Sequence, residues 1–449
     1  MRRKQPRSGD KPGSFRDDLR LSTTEGASYC VMVGVGQEYF VAFALALGFA
    51  DERAGLVATL PVFVGATLQL LAPWAIGLVG SLRRYMVIAS SVQAACFVPL
   101  IVGALMGSMP LWMLYAVVAL YATINLSQGP AWNTWITTLV PRRVRGQYFG
   151  KRSRLLQGGV LLGLATGGLI LDRGAAGESE PSAFALLFVI ACVVRFAGSF
   201  MLSRHSEPVR MPPGFQHVSP VALLKRLRTG ADARLLVFLL ASGMAWQVAL
   251  PFFTPFVLNH RGETYKTFML LTAAAIVGRM LVAPTVGRLA QRIGARQLLA
   301  IGAVGTAPGA LLWWVAADVW QLAAAQLILG MFLAAFEIGA MLMQFETIPE
   351  RERASVLSTF TALSSLAGFL GSLAGATMLG VLGTDSHAYL LVFVVAGVAR
   401  LLAAPLLLLV KPGPSDPRPL ATQPVRVEPG AGTTEQPTLP AISTPQRDA

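Results

Sequence analysis

The chain is short of the residue types on which metal and nucleophilic chemistry usually rest. Its 449 residues include three cysteines, Cys30, Cys96 and Cys192. Each falls inside an apolar run, so neither a disulfide framework nor the paired spacing of a zinc site is present. The four histidines, His205, His217, His260 and His387, fall in loops on both faces and form no acid–base cluster. A phosphate loop is also missing. The nearest approach, Gly146-Gln-Tyr-Phe-Gly150-Lys151, sets its glycines one residue too close, and Arg152 stands where a serine or threonine must bind magnesium. These absences argue against a metalloenzyme, a histidine-based hydrolase and an ATP-driven pump. No enzyme activity, cofactor or metal is expected. The first twenty residues, MRRKQPRSGDKPGSFRDDLR, contain no early apolar core, so a cleavable leader is not expected either.

Apolar sequence is abundant. Hydrophobic residues make up 54% of the chain and charged residues 13%, and the mean hydropathy is +0.58. About 20 predominantly apolar residues cross a bilayer as a helix. Twelve such runs are present, at 26–50, 56–79, 85–107, 110–136, 154–172, 183–203, 233–258, 267–287, 297–317, 320–345, 356–382 and 388–410. The expected fold is an all-α integral membrane protein with twelve transmembrane helices. The gaps between runs leave no room for a soluble catalytic domain before residue 411.

Charge gives the orientation. The net charge of +14 would suit a nucleic-acid partner, but its distribution does not. If residues 1–25 are an inner tail, alternate loops and both tails hold 30 of the 37 lysines and arginines, and the outer loops hold four: Arg53, Arg173, Arg261 and Lys266. Basic residues beside spans stay cytoplasmic. The expectation is therefore a multi-pass protein of the inner (plasma) membrane with both termini cytoplasmic. Its partners would be the lipid bilayer, a small molecule and protons, with no nucleic acid, and it would be monomeric.

The spans fall into two sets of six. Residues 26–203 would form one six-helix bundle and 233–410 the other, joined by a cytoplasmic linker at 204–232. In that linker Ser219 to Gly230 reads as a short capped helix. Residues 411–449, rich in proline, read as a disordered cytoplasmic tail. The sets resemble each other. Phe188-Val-Ile-Ala-Cys-Val-Val-Arg195 recurs as Phe393-Val-Val-Ala-Gly-Val-Ala-Arg400, and Pro141-Arg-Arg-Val-Arg145 corresponds to Pro349-Glu-Arg-Glu-Arg353, 208 residues on. Gly163 and Gly167 match Gly371 and Gly375 at the same displacement. Such matches indicate an internal duplication, and a duplicated six-helix unit suits a transporter that rocks about a central site.

Three motifs carry a family resemblance. Gly287-Arg-Leu-Ala-Gln-Arg292-Ile-Gly294-Ala-Arg296 resembles the loop signature of the major facilitator superfamily, with Gln291 in place of its acid. Gly77-Leu-Val-Gly-Ser-Leu-Arg83-Arg84 is its shortened counterpart. Asn125-Leu-Ser-Gln128-Gly129 resembles a second family motif, with asparagine replacing arginine. Gly159-Val-Leu-Leu-Gly163-Leu164-Ala-Thr-Gly167-Gly168 resembles the antiporter signature, with Leu164 replacing its proline. The resemblance covers about residues 25–410 and is to a bacterial, substrate-unassigned branch. It implies secondary active transport of a small molecule by alternating access, with proton coupling in prospect. A transport-inactive receptor or scaffold of the same fold is the alternative. It also implies a cytoplasmic gate at Arg84, Pro141, Arg145, Gly146, Gly287, Arg288, Arg292, Gly294, Arg296, Pro349 and Arg353. Gly159, Gly163, Gly167 and Gly168 are expected to let helices pack closely.

A charge at the bilayer centre costs about 2.5–3.5 kcal/mol on insertion scales, so ionisable residues within spans need a partner or a role. Five are recognised: Glu38, Glu337, Arg195, Arg279 and Arg400. Glu38 is the first candidate for proton coupling or substrate contact, followed by Glu337 and Arg279. Arg195 and Arg400 read as structural residues whose long side chains snorkel to the headgroups. Asn125, Gln128 and Trp132 share a helical face with Trp135, which reads as an interface residue. With Gln37, Trp246 and Gln247, the first three are expected to line the cavity.

Overall fold

A computed structural model describes residues 15–139, 145–177, 180–205, 231–347 and 350–410. Every regular element among them is helical. The linker helix at 219–230, Pro141, Pro349 and the tail from 411 lie outside the described residues.

The first half comprises α1 (Phe15–Val35), α2 (Phe40–Ala46), α3 (Asp51–Leu56), α4 (Leu60–Leu68), α5 (Ala72–Val79), α6 (Leu82–Ala95), α7 (Phe97–Met106), α8 (Leu111–Leu139), α9 (Arg145–Ala176) and α10 (Glu180–Ser203). The second comprises α11 (Ala231–Gln247), α12 (Phe253–Pro255), α13 (Tyr265–Ile293), α14 (Ala295–Thr306), α15 (Gly309–Val315), α16 (Val319–Thr347), α17 (Glu350–Leu382) and α18 (Ser386–Ala403).

Ten helical stretches among the described residues are long and apolar enough to cross a bilayer. The expected spans 56–79 and 297–317 are not among them, and each is interrupted midway. A 3₁₀ turn at Gln69–Leu71 separates α4 from α5, and Ala307-Pro308 separates α14 from α15. Proline has no N–H to donate and clashes with the preceding turn, so Pro73 and Pro308 mark where regular helix ends and restarts.

The internal repeat extends to backbone irregularities. The chain leaves α1 through a 3₁₀ turn at Gln37–Tyr39, and leaves α11 toward α12 through a 3₁₀ turn at Leu250–Phe252, 213 residues on. Beyond α12 a π-helical turn covers Phe256–His260, where Pro251 and Pro255 loosen the regular ladder. Glycines repeat the packing. A Cβ on Gly163 would lie 2.2 Å from the Val31 carbonyl oxygen, and one on Gly371 would lie 2.2 Å from that of Met244. A Cβ on Gly167 would meet the Tyr39 ring at 2.4 Å, and one on Gly375 the Phe252 ring at 2.6 Å. Val31 and Tyr39 are again 213 residues from Met244 and Phe252, so backbones touch at matched positions because no other residue leaves room.

Basic residues cap matching helix ends. Arg83 donates to the His205 carbonyl just beyond α10 (3.1 Å), and Arg296 donates to the Leu408 carbonyl beyond α18 (3.0 Å). The last carbonyls of a helix lack intrahelical partners, and a guanidinium satisfies both their hydrogen-bonding capacity and the negative end of the dipole.

Candidate functional site

Among the described residues, the two halves touch at the end predicted to lie outside. Thr59 and Ser372 share a hydroxyl hydrogen bond of 2.5 Å, and Phe63 stacks on Phe369 with centroids 5.4 Å apart. Asp51 accepts from Asn259 Nδ2 (2.5 Å) and from the Tyr389 hydroxyl (2.7 Å). Tyr265 donates to Glu180, Tyr39 meets Phe268 edge-on, and Gly168 abuts Met269.

Behind this seal lie the candidate charged residues. Glu38 occupies the 3₁₀ turn after α1 and is half-buried. The chain is tightly packed where it enters the turn: a Cβ on Gly36 would fall 2.7 Å from the Phe97 ring. Glu38 makes no hydrogen bond or ion pair among the described residues, and the cation whose charge acts on it is Arg279. Arg279 on α13 pairs with Glu337 on α16 at 3.4 Å, and their side chains are 38% and 53% exposed. Reciprocal glycine contacts bring these helices together. A Cβ on Gly278 would lie 2.1 Å from the Leu327 carbonyl oxygen, and one on Gly330 would lie 2.1 Å from that of Ala275. The exposed pair is solvent-screened and contributes little to stability. Its value lies in having two accessible charges that a third residue or a ligand can re-pair.

A cavity of about 250 Å³ adjoins the seal at Thr59 and Phe369, lined also by Gln247, Thr361, Ser364, Ser365 and Gly368 among others. Gln247 Oε1 and Ser364 Oγ are buried without a hydrogen-bond partner among the described residues. The wall of hydroxyls from α17 was not anticipated. Its signal is the spacing of Thr361, Ser364, Ser365 and Gly368, which puts small and polar groups on one helical face.

The other anticipated lining residues have different surroundings. Gln37 accepts from the Tyr121 hydroxyl at 3.0 Å. Trp132 lies under the Arg152 guanidinium at 4.1 Å, and Trp246 lies under that of Arg400 at 4.4 Å. Gln128 is 6% exposed and sits inside the first half instead of facing a cavity. It belongs to a network around Arg195, whose guanidinium donates to Gln93 Oε1 (2.7 Å), Gln128 Oε1 (2.6 Å) and Glu25 Oε1 (3.2 Å) and lies over the Tyr29 ring. Asn125 closes the network by accepting from the Tyr29 hydroxyl at 2.6 Å. Neither Arg195 nor Arg400 snorkels: they are 1% and 3% exposed. Glu25 was missed because it lies one residue before the first apolar run, where an acid reads as part of the polar tail.

Of the anticipated gate, Arg84, Arg288 and Arg292 are exposed. Arg288 donates to its own helix at Pro284, and Gly294 ends α13 with φ of +86°. Arg296 bonds within its own half, Gly287 lies in α13, and Arg145, Gly146 and Arg353 lie in the first turns of α9 and α17. A Cβ on Gly159 would lie 2.9 Å from the Ala27 carbonyl oxygen, which extends the α9–α1 contact.

No curated protein matches the chain in sequence. The fold is similar to that of the nucleoside transporter NupG, with a TM-score of 0.67 at 13% identity over 88% of this chain and 98% of that one. It is similar also to a POT family transporter crystallised with 5-aminolevulinic acid (TM-score 0.65, 13% identity, 88% and 97% covered). A bacterial homolog of the human lysosomal transporter Spinster, inward-facing and unoccupied, gives a TM-score of 0.65 at 16% identity over 90% and 98%. Residues 235–446 match the family model of the Major Facilitator Superfamily. The family signature thus lies in the second half of the chain, a little under half of its length, while the fold of the described residues is similar to that of the transporters above.

Proposed function

We propose that the chain has twelve spans in two six-helix bundles, with α4–α5 and α14–α15 each crossing once as a discontinuous helix. It would carry a small molecule across the inner membrane by alternating access, with both termini cytoplasmic. Among the described residues, the cross-half contacts at the outer end, with Arg279 and Glu337 still accessible, support an inward-open state. The hydroxyl and amide wall formed by Thr59, Gln247, Thr361, Ser364 and Ser365 suits a polar, hydrogen-bonding substrate.

Coupling is assigned to Glu38, with Arg279 and Glu337 as exchange partners. The observation that carries this reading is that Arg279 is shared. It is bonded to Glu337 while its charge acts on an unbonded Glu38. A proton taken up by one acid releases the arginine to the other, and helix breaks at such sites are common in transporters. Thermal-shift screening of purified protein against sugars, amino acids, organic acids and drugs supplies a substrate. Proteoliposomes with an imposed pH gradient then test coupling. Glu38→Gln is expected to abolish gradient-driven accumulation while leaving counterflow exchange of the same substrate. Full accumulation by Glu38→Gln would overturn the assignment.

A further inference from the structure

The cavity of about 250 Å³ beside the outer seal takes its walls from both halves: Thr59 just ahead of α4, Gln247 at the end of α11, and the hydroxyl face of α17. Its volume is that of about eight waters, taking roughly 30 Å³ for each. Pockets for drug-sized ligands are larger, roughly 300–1,000 Å³. Among the described residues, no ionisable side chain lines it. A charged ligand would be desolvated there without a counter-charge, at high cost.

The polar groups of the wall favour a ligand that donates hydrogen bonds. Ser372 Oγ donates to the Phe369 carbonyl at 2.9 Å. Its single proton is thereby spent, so in the bond between the two hydroxyls Thr59 is the donor. Thr59 Oγ1 is left with acceptor capacity alone. Gln247 Oε1 and Ser364 Oγ are buried with no partner among the described residues, and an unmet polar group of this kind is costly. The Gln247 side chain runs along the cavity wall at Gly368, where a Cβ would lie 3.3 Å from its Cγ and 3.5 Å from its Nε2. A half-turn of the amide exchanges its oxygen and nitrogen, so the same residue can present an acceptor or a donor. The rings of Phe360 and Phe369 complete the wall and suit the C–H faces of a compact ring.

We propose that this cavity is the recognition pocket for an uncharged, polyhydroxylated molecule of about monosaccharide size. Ligand hydroxyls donate to Thr59 Oγ1 and to the Gln247 amide, and Ser364 turns its hydroxyl toward them. Thr59 also holds Ser372, so an occupied pocket bears directly on the contact that must part when the outer end opens. The inference rests on the transport reading above for the ligand's role as substrate.

The test is isothermal titration of the purified full chain in detergent with D-glucose, D-mannitol and myo-inositol, and with D-glucuronate and D-glucosamine as charged relatives. At least one uncharged probe should bind along a saturating curve, and the charged relatives should bind at least about ten-fold more weakly. Gln247→Leu and Ser364→Ala should each weaken that binding by about ten-fold. Ser364→Ala removes a single oxygen, so it still reads the pocket if Gln247→Leu does not fold. Binding of none of the uncharged probes, tighter binding of a charged relative, or affinity unchanged in the variants would overturn the proposal. Uptake by proteoliposomes separates the two readings. Saturable, Ser364-dependent binding of a probe that is never carried sinks the transport reading and leaves the pocket, whereas carriage of a charged substrate by unimpaired Gln247→Leu and Ser364→Ala sinks the pocket and leaves transport.

Discussion

The two halves share one backbone plan and differ in how each treats its buried arginine. Around Arg195 four side chains from three other spans converge: Glu25, Gln93, Gln128 and, through its ring, Tyr29. Around Arg400 there are aromatic faces and no acid among the described residues. Duplication thus preserved helix packing, which depends on shape, while polar partners diverged. A satisfied buried network ties its helices together, whereas a stacked cation with free donors leaves its helices without that bond.

Replacing each arginine with methionine gives the largest expected contrast. Arg195→Met strands the Glu25 carboxylate and two amides, and should cost about 3–5 kcal/mol, the usual loss on breaking a buried pair. Arg400→Met strands no acid and puts an apolar chain against Trp246 and Phe336, so stability should be unchanged or raised. Thermal unfolding of both variants in the same detergent measures the difference, and equal losses would end the contrast. The glycine contacts are expected to behave alike. Gly163→Ala and Gly371→Ala each force a methyl against a carbonyl oxygen, and each should cost about 1–3 kcal/mol. A large loss in only one half would show that the shared packing does not carry equal weight. Smallest are the caps: Arg83→Ala and Arg296→Ala should each lose about 0.5–1.5 kcal/mol, seen as faster exchange of amides at the ends of α10 and α18.

Much of this was legible in the chain because membrane insertion leaves a coarse mark. Runs of about twenty apolar residues located the ten long apolar helical stretches, and the recurring Phe-Val-x-Ala-x-Val-x-Arg segment marked the repeat seen again in the glycine contacts. The interruptions at Gln69–Leu71 and Ala307-Pro308 were not visible, since hydropathy records solubility in lipid and not hydrogen bonding along the helix axis. Polar residues were found but not aimed. Asn125, Gln128 and Trp132 do share a helical stripe, but which neighbour a stripe faces depends on partners such as Arg195, 67 positions from Gln128. Arg400 illustrates the same limit. Its local sequence copies that of Arg195, while its surroundings are set by Trp246, Thr306 and Phe336 on other helices.

The seal between Thr59 and Ser372 has a practical consequence. Both are small residues already in contact, and the three native cysteines are buried. A cysteine pair placed there would stand on a background nearly silent to thiol reagents. Oxidant and reductant would then act as a clamp and its release, and a maleimide dye on either position alone would report in real time when the outer mouth parts.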